Sequence, residues 1–438
     1  MVLGKVRPGL SDKKRIMETS ASIIDRIEDL ARVRGISLHA MLVGSAARGT
    51  WLSGDHDLDI FLGVPPNDDL GAALEIARLV APVHEEKYAE HAYVHARMDG
   101  FEVDLVPCYL VEDAASLLSA VDRTPFHTKY VGSRIIGRED EVLLLKQFMK
   151  GANVYGSELK VGGFSGYLTE LLVLCYGSFA AVLQAASAWR PGQRLDLERH
   201  GIEKHDEPLI VVDPVDPGRN VAAALTLDKM LLFAGAARSF LAEPKLDFFF
   251  PPSQPPLSDE EIIARINERG TMPILLEFAA PDVVEDVLYP QLRKAEGSIK
   301  ALIERSGFSM LRSDVSTYRD RAVMLFEMQV WQLSKACPRI GPPAWEAEHL
   351  ARFLAAHPAP LSGPYIANGK VVVEVARQYT SARDLLAEES ANLSLGKHLS
   401  ASIRDGYNIY AGQELLGIKD EGFRIFLAHY FRAKFPIG

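Results

Sequence analysis

The sequence predicts an α+β protein of several domains, and three observations predict it. At 438 residues the chain is longer than one hydrophobic core usually supports. Two periodicities coexist: Asp57-Leu58-Asp59-Ile60-Phe61-Leu62 alternates charged and apolar residues as a half-buried strand does, whereas Ile16, Ile23, Ile24, Ile27 and Leu30 mark one stripe of a helix. Finally, Phe248-Phe249-Phe250-Pro251-Pro252-Ser253-Gln254-Pro255-Pro256 reads as a linker, and Ser258-x-x-Glu261 after it is a capping box that opens a new element.

In order, Ser11 is expected to cap a helix to about Arg34, with Gly35 as its stop. Met41-Leu42-Val43 leads into Gly44-Ser45 and the strand at 57–62, followed by a helix from about Asp69 to Leu79. A strand, a turn at Gly100 and the strand Phe101 to Pro107 that carries Asp104 make a hairpin. His91 and His95 share a strand face without a third ligand, which argues against zinc; Glu90 and His95 are assigned to a polar network near the acids. Asp122 to His127 reads as a loop closing the first domain, and Glu139 to Lys150 as a helix with Val142, Leu145 and Met149 inward and Lys146 to one side. The glycine-rich run Val161 to Tyr167 lacks a preceding strand and the full dinucleotide spacing, so it is read as a turn opening an apolar helix, Tyr167 to Leu183.

A strand and turn, Val211 to Asn220, precede a helix from Ala222 to Phe240. Beyond the linker, helix Asp259–Arg269, strand Ile274–Phe278, helix Pro290–Arg305 and strand Val323–Val330 make a second α+β unit. Amphipathic segments at Thr380–Leu393, Lys397–Ile409 and Glu421–Phe435 complete the chain.

Composition narrows the function classes. Hydrophobic residues at 48% and charged residues at 24% are ordinary for a globular chain. A net charge of −10 argues against a uniformly basic nucleic-acid binder, so any such contact needs a local basic stripe. Arg293, Lys294, Lys300 and Arg305 on one helix, followed by Arg312, Arg319 and Arg321, supply one. Cys108, Cys175 and Cys337 have no metal-type spacing and are expected to be reduced and buried. The amino-terminal stretch MVLGKVRPGLSDKKR lacks an apolar signal region and no apolar run could span a bilayer, so the expectation is a cytoplasmic protein without a membrane partner.

The chemistry gathers in residues 41–62. On a strand, Asp57 and Asp59 share a face with Cα atoms about 7 Å apart, a spacing at which two carboxylates can share a hard cation. Gly44-Ser45 can offer backbone N–H groups and a hydroxyl to phosphate oxygens, and Arg48 adds a positive charge. Asp104 points to the face opposite Val103 and Leu105; if its strand pairs beside Asp57 and Asp59, three carboxylates meet.

Gly-Ser, a turn, Asp-x-Asp and a later strand Asp resemble the nucleotidyltransferase superfamily that includes DNA polymerase beta. The blocks GSAARGTW, KYAEHAYVH, EVDLVPCY, AVDRTPFH, VGGFSGYL, VVDPVDPGRN and LYPQL resemble, in order, those of the archaeal (class I) CCA-adding tRNA nucleotidyltransferases, from Gly44 to Leu292. Where that family often carries Glu, position 57 is Asp.

The resemblance implies a polymerase-beta-like catalytic head with a mixed sheet (1–138), a helical central nucleotide-binding domain (139–255) and an α+β RNA-binding-like C-terminal domain with a helical tail (256–438). It implies that Asp57, Asp59 and Asp104 are the catalytic acids and hold Mg²⁺. Gly44, Ser45, Arg48, His127, Lys146 and Tyr155 would bind the nucleotide's phosphates and sugar, with Arg219 and Asn220 at the base edge. Arg293, Lys294 and Lys300 would face tRNA, whose acceptor and TΨC arm the C-terminal half grips, and a homodimer is a compatible assembly. The implied function is template-independent addition of C, C and A to the 3′ end of tRNA from CTP and ATP, with release of pyrophosphate. The alternatives are a poly(A)- or oligoadenylate-type polymerase of the same superfamily, a small-molecule nucleotidyltransferase, and a non-catalytic RNA-binding scaffold.

Overall fold

The computed structural model describes residues 1–88, 90–201 and 205–432. It divides into two compact units, Met1–Pro252 and a second beginning at Ser253. Among the described residues no single helix is long and apolar enough to cross a membrane.

In the first unit, α1 (Leu3–Val6) and α2 (Leu10–Arg34) precede β1 (His39–Val43), the short α3 (Gly44–Arg48), β2 (Asp57–Val64), α4 (Leu70–Val80), β3 (Glu85–Tyr88), β4 (Ala92–Met98) and β5 (Phe101–Tyr109). The strands form one sheet in the order β1-β2-β5-β4-β3, with β2 and β5 parallel and the other pairs antiparallel. Alternation sorts its faces. Leu58, Ile60 and Leu62 of β2 and Val103 and Leu105 of β5 are buried against Ile23 and Ile27 of α2 and Ile76 of α4. The opposite face therefore carries Asp57, Asp59 and Asp104.

The helical half follows as α5 (Arg123–Arg134), α6 (Glu139–Gly151), α7 (Gly166–Tyr176), α8 (Phe179–Ala186), the parallel pair β6 (Gln193–Asp196) and β7 (Leu209–Val212), and α9 (Leu227–Ala242). Phe148 anchors its core, meeting the rings of Phe179, Phe233, Phe240, Phe248 and Phe249.

The second unit holds α10 (Asp259–Arg269), β8 (Met272–Ala279), α11 (Glu285–Arg305), β9 (Ser309–Tyr318), β10 (Arg321–Val330), β11 (Ala336–Pro343), α12 (Ala347–Ala356), β12 (Ser362–Ala367), β13 (Lys370–Ala376), α13 (Ala382–Glu389), α14 (Lys397–Asp405), β14 (Tyr407–Ala411) and α15 (Glu421–Phe431). Its main sheet runs β14-β8-β10-β9, and a smaller one runs β11-β13-β12. Buried Ile299 and Leu292 of α11 pack with Met324 and Phe326 of β10 and with Leu399 of α14.

Several expected boundaries move, each for a local reason. Helix α2 begins at Leu10, capped by Gly9 with Asp12 accepting its N–H at 3.1 Å, so Ser11 lies inside the helix. The segment after Asp122 is helical rather than a loop: the buried Asp122 carboxylate gathers the N–H groups of Tyr109, Leu118 and Ser119, and Pro125 sits in the first turn, where its missing donor costs little. The apolar helix expected from Tyr167 to Leu183 breaks at Gly177 (φ +93°), and Ser178 caps α8, which leaves α7 at 94°. Thr226 caps α9, so Ala222 to Leu225 are turn.

Helix α11 starts at Glu285 with Pro290 inside it, because Leu288 and Tyr289 are buried on its core side. Phe248 to Phe250 belong to the first unit's core rather than to linker. Gly406 (φ +135°) ends α14, and Tyr407 onward adds a strand to β8. The small sheet had no expectation; its outer strands carry Pro338, Pro342, Pro343 and Pro364, which only edge strands tolerate. Of the cysteines, all free, Cys108 alone is buried; Cys175 is exposed and Cys337 half-buried. The expected helix end at Phe435, the end of the third domain and Ala89 of the KYAEHAYVH block lie outside the described residues.

Candidate active site

The acids come together through strand register. Asp59 of β2 is the direct partner of Asp104 on β5, and Asp57 that of Glu102. His95 on β4 lies opposite Asp104, with Nδ1 2.5 Å from Asp104 Oδ1 and Nε2 3.5 Å from Glu102 Oε2. Glu90 is not in this network; its carboxylate accepts the Ala120 N–H. Burial, with Asp104 and Asp57 as charged neighbours, pushes the Asp59 carboxyl up to about 6, against the pull of Arg48. Asp57 is raised by burial and then by Asp55, Asp104 and Glu102.

Backbone approach seals the other side of Asp59. Gly44 has φ +70°, and a Cβ there would lie 2.2 Å from Asp59 Oδ2, so only glycine fits. Ser45 and Arg48 follow on α3, one turn that turns the chain back over the acids.

The expected phosphate ligands come from both halves of this unit. The Arg48 guanidinium is clamped by the fully buried Glu170 of α7, with Nε to Oε1 and Nη2 to Oε2 both 3.0 Å, and its Nη1 donates to Thr128 Oγ1 at 3.2 Å. Thr50 Oγ1 donates to Glu170 Oε1 at 2.5 Å. Lys146 is not solvated on a helix side: it is 3% exposed and donates to the Thr50 carbonyl at 2.8 Å, and burial lowers its pKa. At Gly166 an added Cβ would lie 3.1 Å from the Tyr155 hydroxyl and 3.6 Å from Lys146 Nζ, so both groups lie close to the start of α7.

A second network surrounds Asp213, which is fully buried. It accepts from His127 Nε2 at 2.9 Å, Arg219 Nη1 at 2.8 Å and the Tyr167 hydroxyl at 3.3 Å, while His127 stacks on Tyr167 at 4.0 Å. Burial alone would raise the Asp213 carboxyl; the hydrogen bonds from His127, Val215 N and Arg219 outweigh it and leave it below the ordinary range. Asn220 is buried and spends its amide on the backbone, accepting from Val211 and Ala222 N and donating to the Leu209 carbonyl. It holds the turn beneath Arg219.

Three family models match in order: a nucleotidyltransferase domain over residues 23–129, the second domain of tRNA nucleotidyltransferase over 140–250, and the C-terminal domain of CCA-adding enzyme over 269–412. The CCA-adding enzyme of Methanosarcina mazei is 44% identical over 437 residues, covering 97% of this chain and 96% of its own. The chain belongs to the CCA-adding enzyme family. The CCA-adding enzymes of Methanothermobacter thermautotrophicus (43% identical, 97% of this chain and 96% of that one) and Haloarcula marismortui (38%, 99% and 98%) agree.

For a CCA-adding enzyme, a nucleotidyltransferase, a divalent metal is implied. Among the described residues no three potential ligands are already drawn together around a cation position. The donor set nevertheless fits a hard divalent cation: Asp57, Asp59 and Asp104 offer only oxygen, and a cation would favour the ionised forms of Asp57 and Asp59, which burial first and neighbouring carboxylates second disfavour.

Glu170, Asp213, Thr50 and Thr128 were missed by sequence reasoning. The signal for Glu170 was present, a lone acid in the apolar run Gly166–Tyr176. On α11, Arg293 pairs with Glu296 and Asp314, whereas Lys294 and Lys300 are exposed.

Proposed function

We propose that this chain adds C, C and A to the 3′ end of tRNA from CTP and ATP, releasing pyrophosphate, with Mg²⁺ held by Asp57, Asp59 and Asp104. The observation that carries the reading is the acid face of β2 and β5, with Asp59 and Asp104 in direct register, in a chain aligned almost end to end with CCA-adding enzymes. Bound there, the cation would make the primer's 3′-hydroxyl more acidic and neutralise the triphosphate.

The chain's own groups bind and orient. Asp104, fixed by His95, is assigned to the primer hydroxyl. Gly44 and Ser45 present backbone N–H groups and a hydroxyl to phosphate oxygens. Arg48 has five N–H donors, three of them turned to Glu170 and Thr128, which leaves two for the triphosphate. His127 keeps Nδ1 free of the Asp213 bond, and Lys146 and Tyr155 offer an ammonium and a hydroxyl beside each other. Arg219 is assigned to the base edge, with Asn220 acting through the turn it holds. Positioning and charge neutralisation account for the rate, since phosphoryl transfer asks little covalent chemistry of the protein.

In this reading residues 1–138 are the catalytic head, 139–255 the nucleotide-binding domain and 256–438 the tRNA-binding domain, where Arg293, Lys294 and Lys300 meet the acceptor and TΨC arm. The setting is the cytoplasm, and a homodimer is compatible with it. Asp59→Ala is expected to abolish nucleotide incorporation in a gel assay while the thermal midpoint holds or rises, because it relieves repulsion without opening a core cavity. Retention of more than a few per cent of activity contradicts the site assignment.

A further inference from the structure

His127 and Arg219 sit on different elements, α5 and the turn after β7, yet a single carboxylate oxygen holds both. Asp213 Oδ2 accepts from His127 Nε2 at 2.9 Å and from Arg219 Nη1 at 2.8 Å. Its other oxygen accepts from Val215 N at 3.1 Å and from the Tyr167 hydroxyl at 3.3 Å. A second tie joins the same two elements, because Arg123, one turn before His127 on α5, donates from Nε to Asp216 Oδ2 at 2.6 Å. The turn is closed on itself: Asp213 N–H donates to the Arg219 carbonyl at 3.0 Å and Arg219 N–H to the Asp216 carbonyl at 2.9 Å.

The Arg219 side chain, 37% exposed, lines a cavity of about 410 Å³. On the walls of that cavity His205 Nε2 and Glu207 Oε2 are buried without a hydrogen-bond partner among the described residues. Unmet polar atoms beside a guanidinium suit a small ligand with a polar edge. Ser165, also in the lining, immediately precedes Gly166, beside which Tyr155 and Lys146 lie.

We propose that Asp213 is a positioning residue for nucleotide selection: its shared oxygen couples Arg219 at the base to His127 at the triphosphate, so a mismatched base that draws Arg219 aside also displaces the phosphate contact. Asp213 itself is fully buried, and a carboxylate oxygen so placed is costly to leave short of a donor. Displacement of either partner is therefore resisted by the other. The coupling rests on the reading that Arg219 meets the base and His127 the triphosphate.

The test uses the full chain and a tRNA transcript lacking CCA, with CTP and UTP as nucleotides. Asp213→Asn keeps the shape and removes the charge. It is expected to raise the KM for CTP several-fold and to narrow the CTP-over-UTP preference in kcat/KM, with the KM for tRNA unchanged. A double-mutant cycle of His127→Ala and Arg219→Ala reads the coupling without touching Asp213. In the wild type the combined loss in kcat/KM for CTP is expected to fall short of the product of the single losses by about fivefold or more, whereas in the Asp213→Asn background it should equal that product to within about twofold. Tyr167→Phe removes a donor from the other carboxylate oxygen and keeps a ring against His127, so it should preserve the shortfall.

Losses that simply multiply in the wild type overturn the proposal, whether or not Asp213→Asn folds. So does an Asp213→Asn variant that loses thermal stability and rate alike for both nucleotides while the CTP preference and the shortfall persist, since that is a purely structural role. The two failures are distinguishable: single variants that each impair CTP use but combine multiplicatively remove the coupling and leave the site assignment, whereas His127→Ala and Arg219→Ala with unchanged CTP kinetics remove both.

Discussion

At the scale of single residues, Asp59 concentrates the chemistry. It is buried between the Gly44 backbone and Asp104, and that burial first, with the charges of Asp104 and Asp57 adding to it, raises its carboxyl to about 6. A carboxylate raised in the folded state gives up stability as pH climbs through that value, and it takes up protons just below it. If Asp59 holds the metal, as proposed, metal and proton compete for one site. At low Mg²⁺, the incorporation rate is expected to fall as pH drops through about 6, and added Mg²⁺ should move the midpoint lower; a pH–rate series at several Mg²⁺ concentrations checks this. Gly44→Ala forces a methyl to within 2.2 Å of Asp59 Oδ2 at a positive φ. The variant should lose at least about tenfold in kcat/KM, equivalent to roughly 1.4 kcal/mol, with a raised Mg²⁺ requirement. Steady-state kinetics at two Mg²⁺ concentrations read both.

At the scale of elements, α3 and α7 act as one piece, because Arg48 and Thr50 at the end of the first converge on Glu170 in the second. The pair is buried, and removing one partner of a buried ion pair leaves the other uncompensated, at a cost on the order of 3 kcal/mol. Glu170→Ala is thus expected to lower the denaturant midpoint and to raise the KM for both nucleotides, since Arg48 loses its fixed orientation. A denaturation series beside nucleotide kinetics separates the two effects. This pairing was illegible in the sequence: positions 48 and 170 become neighbours only when the sheet half and the helical half pack together.

What could be read were features with a local cause. The alternation of β2 placed its acids on one face, and Gly35, Gly100 and the Ser258–Glu261 box marked their boundaries. What could not be read from the residues was set by burial: by its helix position Lys146 looks like any surface lysine and only the resemblance singled it out, yet packing buries it against the Thr50 carbonyl. The break at Gly177-Ser178 hid inside an apolar run. Proline-rich β11 and β12 give no strand periodicity, because as edge strands they need only one hydrogen-bonding side.

At the scale of the whole molecule, chemistry and the proposed RNA contacts are divided between two units. Asp57, Asp59, Asp104, Arg48, Lys146 and the Asp213 network all lie in Met1–Pro252, whereas Lys294 and Lys300 lie in the second unit. In the proposed reading this division reconciles a net charge of −10 with an RNA substrate: arginines such as Arg269, Arg319 and Arg321 are neutralised locally, and Lys294 and Lys300 are left for phosphate. The central claim is that one site adds a fixed short sequence and stops. It is tested most directly by incubating the purified protein with tRNA transcripts ending before CCA, after C and after CC, with Mg²⁺ and CTP and ATP singly and together, resolved at single-nucleotide resolution. The account predicts completion of C, C and A on each transcript followed by a stop. Open-ended A addition, or tight tRNA binding with no incorporation, would contradict it.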